Sequence, residues 1–231
     1  MRQLVDLEYS HVEIMIHETG GHLKPSQVLS EFDQSEQLCH QIHRLTPVAI
    51  SADMEAPEDL YYRQFTAISK LAKALKVVTI TVRASELGTP FNAEVERLRK
   101  LVAISSIDGV RVGMLTEIGR MSEAPETAVV LCDAVKGLGI TLDPSHYTCG
   151  PHAGVNYDQL MRYVYHVRLR DTSREQLQVR VGQGEIEYGR LISQLSRVKY
   201  NRALCVDIEP TPDTDQLAEM RKLRLLLESL L

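Results

Sequence analysis

The sequence predicts a TIM-type (β/α) barrel of about seven strands that lacks its first strand, and three observations carry that expectation. Seven short β-branched runs alternate with longer helical patterns. The runs recur at roughly 30-residue intervals, the length of one βα unit. Each run also splits into an apolar parity and a small or polar parity. Repeated βα units imply a parallel sheet with helices outside it. A doubly wound sheet is buried on both faces and reads apolar throughout, whereas a barrel can line its interior with the second parity.

The elements follow in order. The chain opens with MRQLVDLEYS, which reads as the end of a first helix with no strand before it. Strand-like runs then come at HVEIMIH (11–17), TPVAISA (46–52), VVTITVR (77–83), VRVGMLTE (110–117), GLGITLD (137–143), VYHVRLRD (164–171) and ALCVDIE (203–209). In the first run Val12, Ile14 and Ile16 oppose His11, Glu13, Met15 and His17. In the third Val78, Ile80 and Val82 oppose Thr79, Thr81 and Arg83, and in the last Leu204, Val206 and Ile208 oppose Cys205, Asp207 and Glu209. Between them EDLYYRQFTAISKLAKALK, NAEVERLRKLVAIS and IEYGRLISQLSRV carry apolar residues at a 3.6-residue period, as amphipathic helices do. DTDQLAEMRKLRLLLESLL reads as a last helix with a core-facing leucine stripe. No Pro/Gly/Ser-rich linker divides the chain, so a single domain over 1–231 is expected. The strand missing at the start leaves a parallel edge, and an edge calls for a cover: a homodimer or a covering segment.

Composition narrows the function classes. Of 231 residues, 44% are hydrophobic and 25% charged, which excludes disorder as the main state. No run of about 18 apolar residues is present, and the N-terminus has no secretory h-region, so no membrane partner is expected. Twenty-six Lys and Arg against 31 Asp and Glu give a net charge of -5, which argues against nucleic acid as a partner. Cys39, Cys132, Cys149 and Cys205 show no CxxC spacing; they read as free thiols of a cytoplasmic protein. HETGGHLK, after the first run, lacks the GxGxxG phosphate fingerprint.

In a barrel the reactive side chains hang from the C-terminal ends of the strands. Those ends carry His17 and Glu18, Asp53, Arg83, Glu117, Asp143 with His146, Arg168 with Arg170 and Asp171, and Glu209. Carboxylates converging with a histidine suit a divalent-metal site or an acid–base pair. Each also has a plainer reading. Glu117 alone could be a solvated rim residue, and Asp-Pro-x-His a turn with a helix cap. Arg168 and Arg170 need acidic partners if buried, and Asp207 and Glu209 on the next strand are candidates. His166, one layer deeper, reads as a hydrogen-bonded core histidine.

TEIG (116–119), TLDPSH (141–146), HVRLRD (166–171), GQGEIEY (182–188) and CVDIEP (205–210) occur in order, each at a strand end or just after one. Together with SHVEI these segments resemble the xylose isomerase-like superfamily of sugar phosphate isomerases and epimerases, which also takes in ketose 3-epimerases, inosose dehydratases and endonuclease IV. The resemblance implies an isomerase or epimerase, or a related lyase, of carbohydrate metabolism that acts on a small keto-sugar, polyol or sugar acid. It places the family's metal ligands on Glu117, Asp143 and Glu209, with His146 at the substrate. Mn, Mg, Co or Zn would be the ion. The family's third ligand is the second histidine of an HxHxKD-like segment, and here that position is Arg168, which cannot ligate a metal.

Three outcomes follow from that departure. His146 could complete a metal site of Glu117, Asp143, His146 and Glu209. Alternatively Arg168 could replace the ion's charge and bind substrate oxygens directly, with Arg83, Arg120 or Arg174 nearby. Or the barrel could be a non-catalytic ligand-binding or scaffolding protein. In the active readings Glu117 and Glu209 are the acid–base pair, and His146, Arg168, Arg83 and Arg174 hold the substrate. An abasic-site nuclease would need a histidine-rich zinc cluster and a basic groove; His40 and His43 fall on the second helix instead, and the net charge is negative.

Overall fold

The computed structural model describes residues 2–42, 44–212 and 214–231. His43, assigned above to a helix, lies outside the described residues. The elements run α1 (Arg2–Asp6), β1 (His11–His17), α2 (Pro25–Ser30), α3 (Phe32–His40), β2 (Thr46–Asp53), α4 (Glu58–Ala74), β3 (Thr79–Arg83), α5 (Phe91–Ile107), β4 (Arg111–Leu115), α6 (Pro125–Ala134), β5 (Leu138–Leu142), α7 (Ser145–Thr148), a 3-10 turn (Asp158–Tyr163), β6 (Val164–Leu169), α8 (Tyr188–Arg197), β7 (Leu204–Val206) and α9 (Gln216–Glu228). All seven expected strands form, and they pair in parallel in chain order. No helix among the described residues is long and apolar enough to cross a membrane.

The two parities separate as the sequence expects. Ile14, Ile16, Ile50, Ile80, Val82, Val112, Met114, Ile140, Leu142, Val167 and Leu169 are buried in one cluster with Phe65, Ile68, Leu71, Leu98 and Leu101 of α4 and α5. The other parity fills the barrel. Thr81 of β3 and Thr141 of β5 hydrogen-bond at 2.8 Å past β4. That reach requires Gly113 between them, since a Cβ there would stand 2.5 Å from Thr141 Oγ1. One layer lower the Tyr165 ring takes the space over Gly139, 2.2 Å from where a Cβ would sit.

The sheet is nearly but not fully closed: β7 pairs with β6 and β1 with β2, and no strand pairing joins β7 to β1 among the described residues. Two connections span this seam. Inside, Glu13 of β1 reaches across to Arg168 of β6 and Cys205 of β7. Outside, the segment before β1 is tied to α9: Tyr9 Oη donates to the Met220 carbonyl at 2.9 Å, and Arg224 is ion-paired with Glu8. A covering segment therefore lies at the edge left by the missing strand.

From β3 onward the strands are shorter than the runs that predict them. β7 keeps three residues, although Asp207 N still donates to the Leu169 carbonyl at 2.9 Å before the chain turns away. β3 begins at Thr79 because Val78 is exposed at the barrel base.

Gly139→Ala should destabilise the fold by about 1–3 kcal/mol, because the added methyl must move an aromatic ring inside a packed layer. Urea unfolding measures this, and an unchanged midpoint would mean that Tyr165 does not occupy the barrel as described.

Candidate functional site

The inward parity brings an array of alternating acids and arginines to the C-terminal half of the barrel. Arg168, 8% exposed, donates from Nε and Nη2 to the two carboxylate oxygens of Glu13, at 2.9 and 2.7 Å. Its Nη1 lies 4.0 Å from Asp207. Arg170 Nη2 contacts both Asp207 (3.0 Å) and Asp143 (3.1 Å), which leaves its buried Nε without a hydrogen-bond partner among the described residues. On the opposite wall Arg83 grips both oxygens of Glu117 and reaches Asp53 at 3.2 Å.

Charge pairing sets the ionisation of these groups. Burial pushes the Glu13 carboxyl up, but Arg168 and His166 beside it reverse this and hold it well below the usual carboxylate range. Burial favours a neutral Arg168, and Glu13 overcomes that, so the guanidinium stays charged. Arg83 is likewise held charged, chiefly by its hydrogen bonds to Glu117. Asp207 is raised by burial, against the pull of its two arginines.

His146 is fixed on both sides. The Ile118 N–H donates to its Nδ1 at 3.2 Å, and its Nε2 lies 3.7 Å from Asp143 Oδ2. An imidazole that accepts at Nδ1 carries its proton on Nε2 when neutral. Burial lowers its pKa, which favours that neutral form.

The carboxylate of Asp143, 1% exposed, is held from the other side by Ser145. Asp171, next to the site in sequence, has a structural role. Its carboxylate accepts from the amides of Thr172, Gly182 and Gly184 and so folds the GQGE loop. Only glycine fits at 184, where a Cβ would lie 2.6 Å from the Thr172 nitrogen. A buried Glu94–Arg97 pair supports Arg83 in turn, since Arg97 Nη2 donates to the Arg83 carbonyl at 2.9 Å.

The residues singled out from the sequence thus divide. Arg83, Glu117, Asp143 and His146 face the mouth. Arg168 points inward but one layer deeper, onto Glu13. Glu209 is exposed on the rim beyond β7, and its carboxylate has no ion-pair partner among the described residues. Arg174 is exposed on the loop after β6, paired with Glu185 at 3.4 Å. Arg120 pairs with Glu86 at 3.7 Å. The sequence places Asp53 at a strand end, whereas Glu13 is the member that it leaves out. The signal of Glu13 in the sequence is the inward parity alone.

The donors at the mouth do not fit a divalent ion as they stand. Arg83 holds Glu117, Arg170 and Ser145 hold Asp143, and the proton on His146 Nε2 leaves no lone pair facing inward. Among the described residues, three ligand-type atoms converge within 4.8 Å only at Glu13, His166 and Cys205. There Glu13 Oε2 lies 3.3 Å from His166 Nε2 and 3.6 Å from Cys205 Sγ. Those separations match the edges of a tetrahedral site with bonds of about 2.0–2.3 Å. An ion could enter only by displacing Arg168 from Glu13, the proton that His166 Nε2 shares with Glu13, and the proton of Cys205, whose thiol burial holds well above its ordinary pKa.

Two outcomes test this arrangement. Glu13→Gln should cost about 3 kcal/mol in chemical denaturation, because it leaves a buried guanidinium uncompensated; a cost near zero would place Arg168 in solvent. Burial holds His17, His22 and His146 below the ordinary 6.5. The unfolded chain therefore takes up protons first as pH falls. The contribution of these groups is fully present above pH 6.5 and declines as pH falls below it, and His146→Gln should shrink that decline.

Comparison with known proteins completes the description. The family model described as xylose isomerase-like TIM barrel matches residues 1–226. No curated protein matches the sequence significantly. Solved structures align over nearly all of the chain. A xylose isomerase-like TIM barrel protein from Mycobacterium smegmatis in complex with magnesium superposes with a TM-score of 0.77 at 15% identity, covering 100% of this chain and 88% of that one. The IOLI protein with a binding zinc atom gives 0.74 at 16%, covering 99% and 91%. The 3-keto-D-glucoside 4-epimerase YcjR from E. coli gives 0.74 at 13%, covering 99% and 92%. At such identities the superpositions establish the fold, and the family match establishes the kinship: the chain belongs to the xylose isomerase-like TIM barrel family.

Proposed function

We propose that the mouth of this barrel transfers a proton at a carbon next to the carbonyl of a small keto-sugar, polyol or sugar acid, as an isomerase or epimerase. The observation that carries this reading is the cluster at the mouth, where Glu117 with Arg83 stands near Asp143 with Arg170 and a neutral His146, and Glu209 is exposed on the rim within electrostatic reach of Arg170. The sugar epimerase among the similar structures supports the reaction class.

In this proposal Glu209, the rim carboxylate without an ion-pair partner among the described residues, takes the proton from one face of the carbon. His146 donates its Nε2–H to the carbonyl oxygen. A neutral imidazole suits this role because it polarises the carbonyl without passing on a full charge. Arg170 Nε, the buried donor without a partner, takes a second substrate oxygen and so recovers the roughly 1–3 kcal/mol that an unsatisfied buried donor costs.

Glu117 cannot accept a proton while Arg83 grips both its oxygens. When Arg83, 39% exposed, swings to the substrate's developing oxyanion, Glu117 is freed to take a proton from solvent and deliver it to the opposite face of the carbon, and the proton taken by Glu209 leaves to solvent. Arg168 acts from beneath: it fixes Asp207, which fixes Arg170. Arg174 is the outermost substrate contact, on the loop above.

A divalent ion, as in the magnesium and zinc structures above, would supply a Lewis acid; Glu13, His166 and Cys205 are the residues here that could hold one, one layer below the mouth and only with Arg168 displaced. The guanidinium groups already occupying the acids favour a second reading, a ligand-binding barrel without turnover. A homodimer remains part of the proposal.

Glu209→Gln and Glu117→Gln should each lower epimerisation of a panel of keto-sugars about 100-fold or more, followed as solvent deuterium incorporation. Unchanged exchange in both variants would remove the catalytic reading. A large rise in melting temperature with Mn, Mg, Co or Zn would show that Arg168 yields to an ion.

A further inference from the structure

The opposite end of the barrel carries a second cavity, of about 560 Å³, lined by residues at the bases of β1, β2, β3, β6 and β7. Its charged and titratable lining residues are Lys76, Arg202, His11, His166 and Tyr165, and none of its lining residues is an Asp or Glu. The chain as a whole has more acids than bases.

Arg202 stands out in this setting. It is half-buried, and Nη1 is held by Thr79 Oγ1 at 3.1 Å and the Tyr165 carbonyl at 3.4 Å. No ion pair joins it to a carboxylate among the described residues. Arg83, Arg168 and Arg170 at the mouth each grip at least one acid. The Lys76 ammonium, at the foot of the turn from α4 to β3, also has no acidic partner among the described residues.

A half-buried guanidinium with no carboxylate, pre-oriented by two hydrogen bonds and facing a cavity with a lysine, is a site built for an anion. Thr46, Thr79 and Asn201 add neutral hydrogen-bonding groups for the oxygens of such a ligand. The volume is that of a metabolite pocket.

We propose that the base of the barrel binds a phosphoryl oxyanion, either inorganic phosphate or the phosphate end of a small metabolite. The anion sits on Arg202 and Lys76, on the far side of His166 from the Glu13–Arg168 pair, so this site is separate from the mouth.

Titration calorimetry of the full chain near neutral pH tests it, with chloride used to hold ionic strength constant. Inorganic phosphate and glycerol phosphate are titrated in parallel. Saturable one-to-one binding of either is expected, and the tighter of the two identifies the source. Arg202→Met and Lys76→Met should each weaken it about tenfold or more, while Arg83→Met at the mouth leaves it unchanged. Lys76 is exposed, so its variant keeps the test interpretable if Arg202→Met fails to fold. Absence of saturable binding, equal affinity in Lys76→Met, or loss only in Arg83→Met would overturn the proposal.

Discussion

The ion pair between Glu13 and Arg168 is the interaction on which the rest of this barrel depends. A (β/α) barrel is ordinarily closed by a continuous hydrogen-bonded ladder. Here the ladder stops between β7 and β1, and the closure passes to side chains: Glu13 leaves β1, passes Cys205 of β7 and meets Arg168 of β6 at both oxygens. The backbone amides of a ladder are neutral, whereas this closure sets two charges in a buried interior. That is tolerable only because each side chain satisfies the other and His166 adds a further hydrogen bond. Removing one partner would leave the other charged and buried, so the pair constrains both residues at once.

From that anchor the array extends upward by a rule of alternation. Arg168 approaches Asp207, Asp207 meets Arg170, and Arg170 meets Asp143, which lies beside His146. On the far wall Arg83 separates Glu117 from Asp53. Packed this closely, the carboxylates would repel one another; the interleaved guanidinium groups offset that repulsion. In a metal-dependent barrel one divalent ion does that for several acids together. Here the neutralisation is distributed over three arginines, each fixed by its own backbone position, and the consequence is a mouth whose cations can rotate from protein acids onto substrate oxygens.

Much of this is legible in the sequence, and the boundary of legibility has a physical cause. Period-two alternation identifies seven strands and says which side chains face inward, because side-chain direction is a property of the strand itself. Arg168 and Arg170 can accordingly be placed inside, and Asp207 named as a candidate partner. Glu13 shares that parity, but nothing in the sequence matches it with Arg168. The two are 155 residues apart, and which residues meet across a barrel depends on the stagger of strands not paired with each other. Side-chain directions are local, whereas the height at which β1 stands against β6 is settled only when the whole sheet curls. The same limit applies to Glu117. Its position at a strand end is readable, but its capture by Arg83 depends on the guanidinium orientation that Asp53 shares and on the backbone position that Arg97 holds.

The place of an arginine where the family pattern has a histidine follows from the same geometry. A guanidinium at position 168 is excluded unless an acid stands within its reach inside the barrel, and β1 supplies one only because Glu13 lies on the inward parity of HVEIMIH. The two residues therefore form one unit: arginine at 168 without glutamate at 13 is an uncompensated cation, and glutamate at 13 without arginine at 168 is a buried anion with only His166 and Cys205 to hold it. In that second state the trio would have the spacing and the charge to attract a metal. The three donors thus form the seat of a guanidinium, and only a different residue at 168 would leave them open to an ion.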